Sequence, residues 1–363
     1  MVLAGSIPPM GPGRAFVIGT GLIGGSVGLS LRKQGWVVHG VDANESVAAN
    51  ALSIGALDAI GPPPDADLTI VATPASVVAD NAIEALASTS GPVTDVGSVK
   101  GALTRAVDNP RFVGGHPMAG SEQEGLVGAR DDLFVGATWV LTPDERTDDD
   151  AFALVRTVVS SFGAEVVTLD PDRHDHLVAM VSHVPHLTAA TLMRLADARS
   201  EEHRAVLRLA AGGFRDMTRV ASGHPGIWPD ICAANAPAIT QGLDELIEAL
   251  TEMRQIVADN DDERLLGVLT SARAARVNLP TTAPIDVELS IVRVPVFDRP
   301  GELARITRMA TDIDINIYDL EIAHSAEGRQ GVLVLVVEAR WSERLMGALM
   351  AHDYRPTARA LDR

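Results

Sequence analysis

The sequence predicts an α/β protein with a doubly wound parallel sheet over residues 14–170, an all-helical segment over 171–278, and a small βαββαβ unit over 287–363. Three observations carry this expectation. Short β-branched runs alternate with helical stretches up to about residue 170, strand-like runs then cease, and after a proline-containing link the alternation resumes in a new order.

In the first domain, strands are expected at 15–19 (AFVIG), 37–42 (VVHGVD), 67–73 (DLTIVAT), 92–98 (PVTDVGS), 111–116 (RFVGGH), 137–142 (ATWVLT) and 164–169 (AEVVTL). Near-continuous apolar runs of this length suit strands covered by helices on both faces. Residues 1–13 read as a flexible leader. Within 171–278, the residues Leu243, Leu246, Ile247, Leu250, Met253, Ile256 and Val257 recur at three-to-four spacing. Such a stripe is either the core of its own domain or a dimer interface, and spacing does not choose between them. Residues 279–286, with Pro280 and Pro284, read as a linker. Beyond it, strands at 289–297, 315–323, 331–339 and 355–361, with helices at 300–313 and 341–352, give the ferredoxin-like order βαββαβ.

The bulk composition narrows the function. A chain of 363 residues implies two or three domains, and 46% hydrophobic with 21% charged residues describes a globular protein and not a disordered one. The net charge of −18, with no basic run, speaks against nucleic acid and anionic membrane as partners. It leaves room for a small anionic substrate, because surface charge is screened over roughly 8–10 Å and a few arginines can dominate a cleft. No apolar run approaches the roughly 20 residues of a membrane span and the N-terminus lacks signal-peptide character, so a cytoplasmic protein is expected. The single cysteine, Cys232, excludes an intrachain disulfide and reads as a structural thiol.

Gly19-Thr20-Gly21-Leu22-Ile23-Gly24 follows an expected strand and opens an expected helix, and Asp42 closes the next strand 18 positions after Gly24. This is the context that the G-x-G-x-x-G dinucleotide fingerprint requires. Gly19 permits the tight turn, Gly21 lets backbone approach a pyrophosphate, and Gly24 lets the helix pack close. Leu22 and Ile23 complete the loop, and Thr73 and Pro74 wall the same crevice. Asp42 would accept from the adenosine ribose and repel a 2′-phosphate, and no arginine follows it, so NAD is expected over NADP.

Four further segments hold polar groups that packing does not need. They are Asp95-Val96-Gly97-Ser98-Val99-Lys100, Gly115-His116-Pro117-Met118-Ala119-Gly120-Ser121-Glu122, Ser182-His183-Val184-Pro185-His186, and Phe214-Arg215-Asp216-Met217-Thr218-Arg219 with Trp228 beyond. Ser98 and His116 fall at the C-terminal ends of consecutive strands, where doubly wound folds place ligands. His183 and His186 are spaced as zinc ligands could be, but no HExxH motif or cysteine set accompanies them, and no metal is expected. Arg215 and Arg219 share a helix face, and His174 and His176 read as surface residues.

With these segments in this order, the chain resembles the prephenate/arogenate dehydrogenase family over essentially its whole length. The resemblance implies NAD-dependent oxidation and decarboxylation of a 4-hydroxycyclohexadiene carboxylate, prephenate or arogenate. It implies that His116 removes the C4 hydroxyl proton, that Ser98 shares that hydroxyl, and that Arg219 holds a substrate carboxylate. His183, His186, Glu122 and Trp228 match further pocket residues. Prephenate is favoured, since His186 and Arg219 suit an anionic keto acid and no added carboxylate is evident for an ammonium. One departure is Trp228-Pro229-Asp230, where the family often has Trp-Arg-Asp. The Asp298-Arg299-Pro300-Gly301-Glu302-Leu303 turn resembles an ACT domain, which implies an amino-acid effector, here L-tyrosine, and a homodimer. A β-hydroxyacid dehydrogenase would use a lysine in its helical domain, and residues 171–278 contain none. A non-catalytic sensor would not need Ser98, His116 and Arg219 together.

Overall fold

A computed structural model describes residues 13–121, 123, 125–200, 206–277, 287–297, 299–324 and 330–360. The expected leader, but for Gly13, and the expected linker 279–286 lie outside these residues. The chain divides into two compact units, one ending at Ile247 and one starting at Glu248.

The first unit opens with β1 (Arg14–Ile18), α1 (Leu22–Lys33), β2 (Val37–Val41), α2 (Glu45–Ser53), β3 (Ala59–Ile60), β4 (Leu68–Val71) and α3 (Val78–Ser88). It continues with β5 (Val93–Asp95), α4 (Gly101–Ala106), β6 (Phe112–Pro117), β7 (Thr138–Thr142), α5 (Asp149–Ser161) and β8 (Glu165–Thr168). The seven expected strands are present, and the two-residue β3 joins them. Their order across the sheet is β3-β2-β1-β4-β5-β6-β7-β8. The chain thus winds outward from β1 in one direction and then in the other. That reversal opens a crevice at the C-terminal ends of β1 and β4. All pairs are parallel except β6 with β7, which is antiparallel. The link between those two strands holds only a short 3₁₀ turn among its described residues, so no helix carries the chain back across the sheet before β7 begins.

Both faces of the sheet are covered. On one, Val17, Leu31, Val38, Leu141 and Val155 are buried with Phe134, Trp139 and Phe162, whose rings lie 4.9–5.9 Å apart. On the other, Val71, Val78, Ala82, Leu103 and Phe112 pack together. Burial of each large side chain contributes about 1.5–3 kcal/mol.

Beyond β8 the chain is helical. Asp170 caps α6 (Pro171–Val178) by accepting from Arg173 N at 2.9 Å, with Pro171 in the first turn. A π-helical turn (Ala179–His183) joins α6 to α7 (Val184–Ser200) as one continuous run. Then follow α8 (Gly212–Thr218), α9 (Trp228–Ala234) and α10 (Ala236–Ala258). The apolar stripe on α10 divides: Ile239 and Leu243 pack with Ala179 and Ala238, whereas Ile247, Leu250 and Val257 are exposed in the single chain.

The second unit contains α11 (Asp262–Val277), β9 (Leu289–Phe297), α12 (Glu302–Asp312), β10 (Asp319–His324), β11 (Gln330–Glu338), α13 (Ala339–Met350) and β12 (Thr357–Ala360). Its four strands form an antiparallel sheet in the order β10-β11-β9-β12. Val292, Val294, Leu333, Leu335 and Val337 meet Ile306, Met309, Leu345 and Leu349 of the two helices in a separate core. The strand expected from 315 begins at Asp319 instead. Asp314 sits in the left-handed region at φ 57°, and Ile315 N bonds back to Ala310 O at 2.9 Å, so the residues after α12 close the helix before extending. Among the described residues no helix is long and apolar enough to cross a membrane.

One consequence can be measured directly. A Cβ added at Gly24 would lie 1.9 Å from the Gly19 carbonyl oxygen. Gly24→Ala is therefore expected to displace α1 from β1, lowering stability by about 1–3 kcal/mol in thermal unfolding and abolishing dinucleotide binding in calorimetry.

Candidate active site

The glycine loop lies at the crevice between β1 and β4. Gly19 has φ 89°, and a Cβ there would sit 2.5 Å from Ala72 O, so only glycine makes this turn. Gly21 opens α1 with no side-chain cap, and nothing lies within 4 Å of where its Cβ would be. An open backbone at the N-terminus of a twelve-residue helix is where a pyrophosphate fits. Leu22 and Ile23 fill the first helical turn and pack half-buried on the core. Asp42 has a task the sequence did not suggest: its Oδ2 accepts from Thr20 N at 2.8 Å, tying the loop to the end of β2. Thr73 follows β4, with its Cγ2 3.2 Å from the Gly19 Cβ position and its Oγ1 accepting from Asn81 Nδ2 at 3.3 Å. Pro74 is exposed beside it. These residues fit a dinucleotide.

The next strand ends carry charge. Asp95, the last residue of β5, and Lys100, just before α4, are fully buried and paired through Oδ2 and Nζ. Lys100 Nζ also donates to Gly115 O at 2.9 Å, and Asp95 Oδ1 accepts from Gly115 N at 3.0 Å. Both polar groups of the peptide residue preceding His116 are thereby clamped. Ser98 is half-buried in the loop between the members of the pair. Burial pushes the Lys100 ammonium down, against the opposing charge and hydrogen bond of Asp95.

His116 itself lies on β6 and is buried. Burial, reinforced by the charge of Lys100 and by the His174 and His183 rings, holds its imidazole well below the ordinary histidine value. Its Nδ1 is 2.9 Å from His174 Nε2, and His174 Nδ1 is 2.8 Å from Asp175 Oδ1. Asp175 also accepts from Lys100 N and Gly101 N, each at 2.8 Å. The expectation of His174 as a surface residue is thus corrected: it is fully buried, whereas its neighbour His176 is exposed. Pro171, His174, Asp175 and Val178 are the buried residues of α6. Their helical spacing is visible in the sequence, but a histidine among so many polar neighbours is expected in solvent unless distant groups satisfy it.

The helical run supplies the remaining groups. His183 is buried on the π-helical turn, a distortion often found where a side chain must be aimed. Asn235, missed in the sequence, donates through Nδ2 to Asp175 O at 2.9 Å and faces His183 Nδ1 at 3.3 Å, which leaves the His183 proton on Nε2. Trp228 stacks on His186 with centroids 3.7 Å apart and stands edge-on to His183 at 6.1 Å. Burial lowers the pKa of both His183 and His186. Arg219 is exposed on a single turn, Arg219–Ser222, packed on α7, and has no ion-pair partner among the described residues. Glu122 lies outside the described residues. Among the described residues no group of three or more His, Cys, Asp or Glu is placed to hold a metal.

Comparison with known proteins gives the arrangement a family. A profile described as "Prephenate dehydrogenase, nucleotide-binding domain" matches residues 27–168, and one described as "Prephenate dehydrogenase, dimerization domain" matches 170–271. The prephenate dehydrogenase of Bacillus subtilis is 33% identical over 334 residues, covering 87% of this chain and 89% of its own. The chain belongs to the prephenate dehydrogenase family. Among solved structures of similar proteins, prephenate dehydrogenase from A. aeolicus, in complex with hydroxyphenyl propionate and NAD+, is 28% identical. It superposes with a TM-score of 0.71 over 75% of this chain and 100% of that one. Synechocystis arogenate dehydrogenase is 30% identical, with a TM-score of 0.65 over 72% and 98% of the two chains. The departure from the family's Trp-Arg-Asp is accommodated locally. Pro229 occupies the first turn of α9, where its missing N–H is no loss, and Asp230 Oδ2 accepts from Ser76 Oγ at 2.8 Å.

The depressed histidines set a pH dependence. Between the ordinary value of about 6.5 and the lower folded value, the unfolded chain binds more protons. Stability is therefore expected to fall as pH drops below about 6.5, and His116→Asn should flatten that fall in thermal unfolding. Lys100→Met, which strands a buried carboxylate, should cost about 3–5 kcal/mol, with part regained in the Asp95→Asn/Lys100→Met double variant.

Proposed function

We propose that the protein oxidises and decarboxylates prephenate to 4-hydroxyphenylpyruvate with NAD as the hydride acceptor. The observation that carries this is His116: an imidazole kept neutral by burial, on the sheet that also presents a dinucleotide crevice. Bound with its pyrophosphate at Gly21 and its adenosine ribose at Asp42, NAD supplies an acceptor for the C4 hydride. His116 takes the C4 hydroxyl proton while the O–H electron pair forms the C4 carbonyl. As CO₂ leaves C1, the bonding pair flows into the ring, and the C4 oxygen recovers the proton from His116 to give the phenol. No net proton is consumed, and aromatisation drives the sequence. Ser98 shares the hydroxyl, and Arg219 holds a carboxylate through its planar fork. His183, His186 and Trp228 wall the pocket; the family resemblance implies a pocket role for Glu122 too, which lies outside the described residues. Residues 14–170 form the nucleotide domain and 171–278 the substrate domain.

Arogenate is the second reading, supported by the similarity to the Synechocystis arogenate dehydrogenase. The two substrates differ only in keto against amino on the side chain, and a few contacts decide between them. Comparing kcat/KM for both at saturating NAD separates the readings. His116→Asn should lower kcat by roughly 10²–10⁴-fold with a modest KM change, whereas Arg219→Ala should mainly raise KM. An unchanged KM in the arginine variant removes Arg219 from the pocket.

Residues 287–363 form a ferredoxin-like ACT domain that binds L-tyrosine, and the enzyme is a homodimer. Support comes from the strand order β10-β11-β9-β12, from a pocket lined by Phe297, Arg299, Glu302, Leu303 and Ile306 beside the Arg-Pro-Gly-Glu-Leu turn, and from exposed Leu250 and Val257 on α10. The matched profile, described as a dimerization domain, agrees with the dimer. Asp298 of that turn lies outside the described residues. Tyrosine should inhibit the full-length enzyme about 5–150-fold, and Leu303→Trp should weaken inhibition without changing kcat. Inhibition that survives the substitution and competes with substrate would place tyrosine in the catalytic pocket instead.

A further inference from the structure

The hydrogen bonds around Asp175 have a direction. Its Oδ2 accepts from Gly101 N, and its Oδ1 accepts from Lys100 N and faces His174 Nδ1, all at 2.8 Å. Backbone N–H groups can only donate, so both oxygens act as acceptors and the ring nitrogen facing them carries a proton. Burial pushes the Asp175 carboxyl up, but the bonds from His174, Lys100 N and Gly101 N outweigh it and hold it below the usual carboxylate range. With its one ring proton on Nδ1, His174 presents a lone pair at Nε2. The atom 2.9 Å away is His116 Nδ1, which must then carry the proton. The other ring nitrogen of His116, Nε2, is left bare.

We propose that His174 and Asp175 are positioning residues that hold His116 in the tautomer with Nδ1 protonated and Nε2 free to accept the substrate's hydroxyl proton. The proposal rests on the reading of His116 as the proton acceptor. The other charged or titratable groups around His116 do not set its tautomer by contact. Lys100 and Asp95 bond the Gly115 peptide, and His183 is turned to Asn235. Among the described residues His174 is the hydrogen-bond partner of the ring, held in turn by Asp175, and it continues to accept from Nδ1 once His116 becomes an imidazolium. An imidazole in the wrong tautomer would offer the substrate a donor where the reaction needs an acceptor.

The test is ¹⁵N–¹H ring correlation on full-length protein labelled at its ten histidines, with His116 assigned by loss of its signal in His116→Asn. Above pH 7 the wild-type His116 should show Nδ1–H. In Asp175→Ala nothing holds the His174 proton on Nδ1, and His116 should populate both tautomers, with kcat reduced roughly 10²–10⁴-fold and KM nearly unchanged. His174→Phe keeps both backbone bonds of Asp175 and provides a second variant should Asp175→Ala not fold; there too His116 should populate both tautomers. A wild-type His116 protonated at Nε2, or a tautomer unchanged in either folded variant, overturns the proposal. If the tautomers behave as expected but His116→Asn retains full activity, the positioning stands and the reading of His116 as the base is overturned.

Discussion

Asp95 and Lys100 are both removed from water, and an unpaired charge at that depth costs several kcal/mol, so each requires the other. Around that requirement four elements converge. Asp95 ends β5, Lys100 precedes α4, Gly115 on β6 is bonded by both, and Asp175 on α6 accepts from the Lys100 backbone. The pair is thus the joint between the sheet and the first helix beyond it. His116 inherits its position from this joint, because the peptide before it cannot move without breaking two bonds. The close approach also explains the small residue: a Cβ at Gly115 would lie 2.6 Å from Asp95 O.

The net charge of −18 does not decide the protonation of His116. Burial is the first cause of its low pKa, and the charge of Lys100, bonded to the peptide before it, adds to that, whereas charges in solvent are screened. One continuous helical run from α6 through the π-helical turn to α7 then delivers His174, Asp175, His183 and His186. The two buried rings are held in opposite senses, His116 against His174 and His183 against Asn235. The proposed tautomers leave a free acceptor on His116 and a free donor on His183.

The family profiles stop short of the C-terminal sheet. The A. aeolicus structure is matched over its full length by three quarters of this chain, and both family profiles end by residue 271. The unit beyond has a core of its own, in which Leu333, Leu335 and Leu345 are almost wholly buried.

The sequence by itself determined what depends on local chemistry. The strand positions, the glycine turn with Asp42, and the helical character after Asp170 follow from side-chain period and backbone freedom over a few residues. Tertiary structure decided what depends on distant partners. The antiparallel return of β7 came from a link without a helix, and the start of β10 was delayed by the left-handed turn at Asp314. The burial of His174 could not be read locally, since Asp-Arg-His-Asp-His is as polar as any exposed helix start. Polar groups enter a core only when donors and acceptors from other elements satisfy them, and those partners, His116 and the Lys100 and Gly101 amides, lie far away in the chain. Periodicity reports which face is buried, and only the assembled fold reports whether a polar residue on that face finds its bonds.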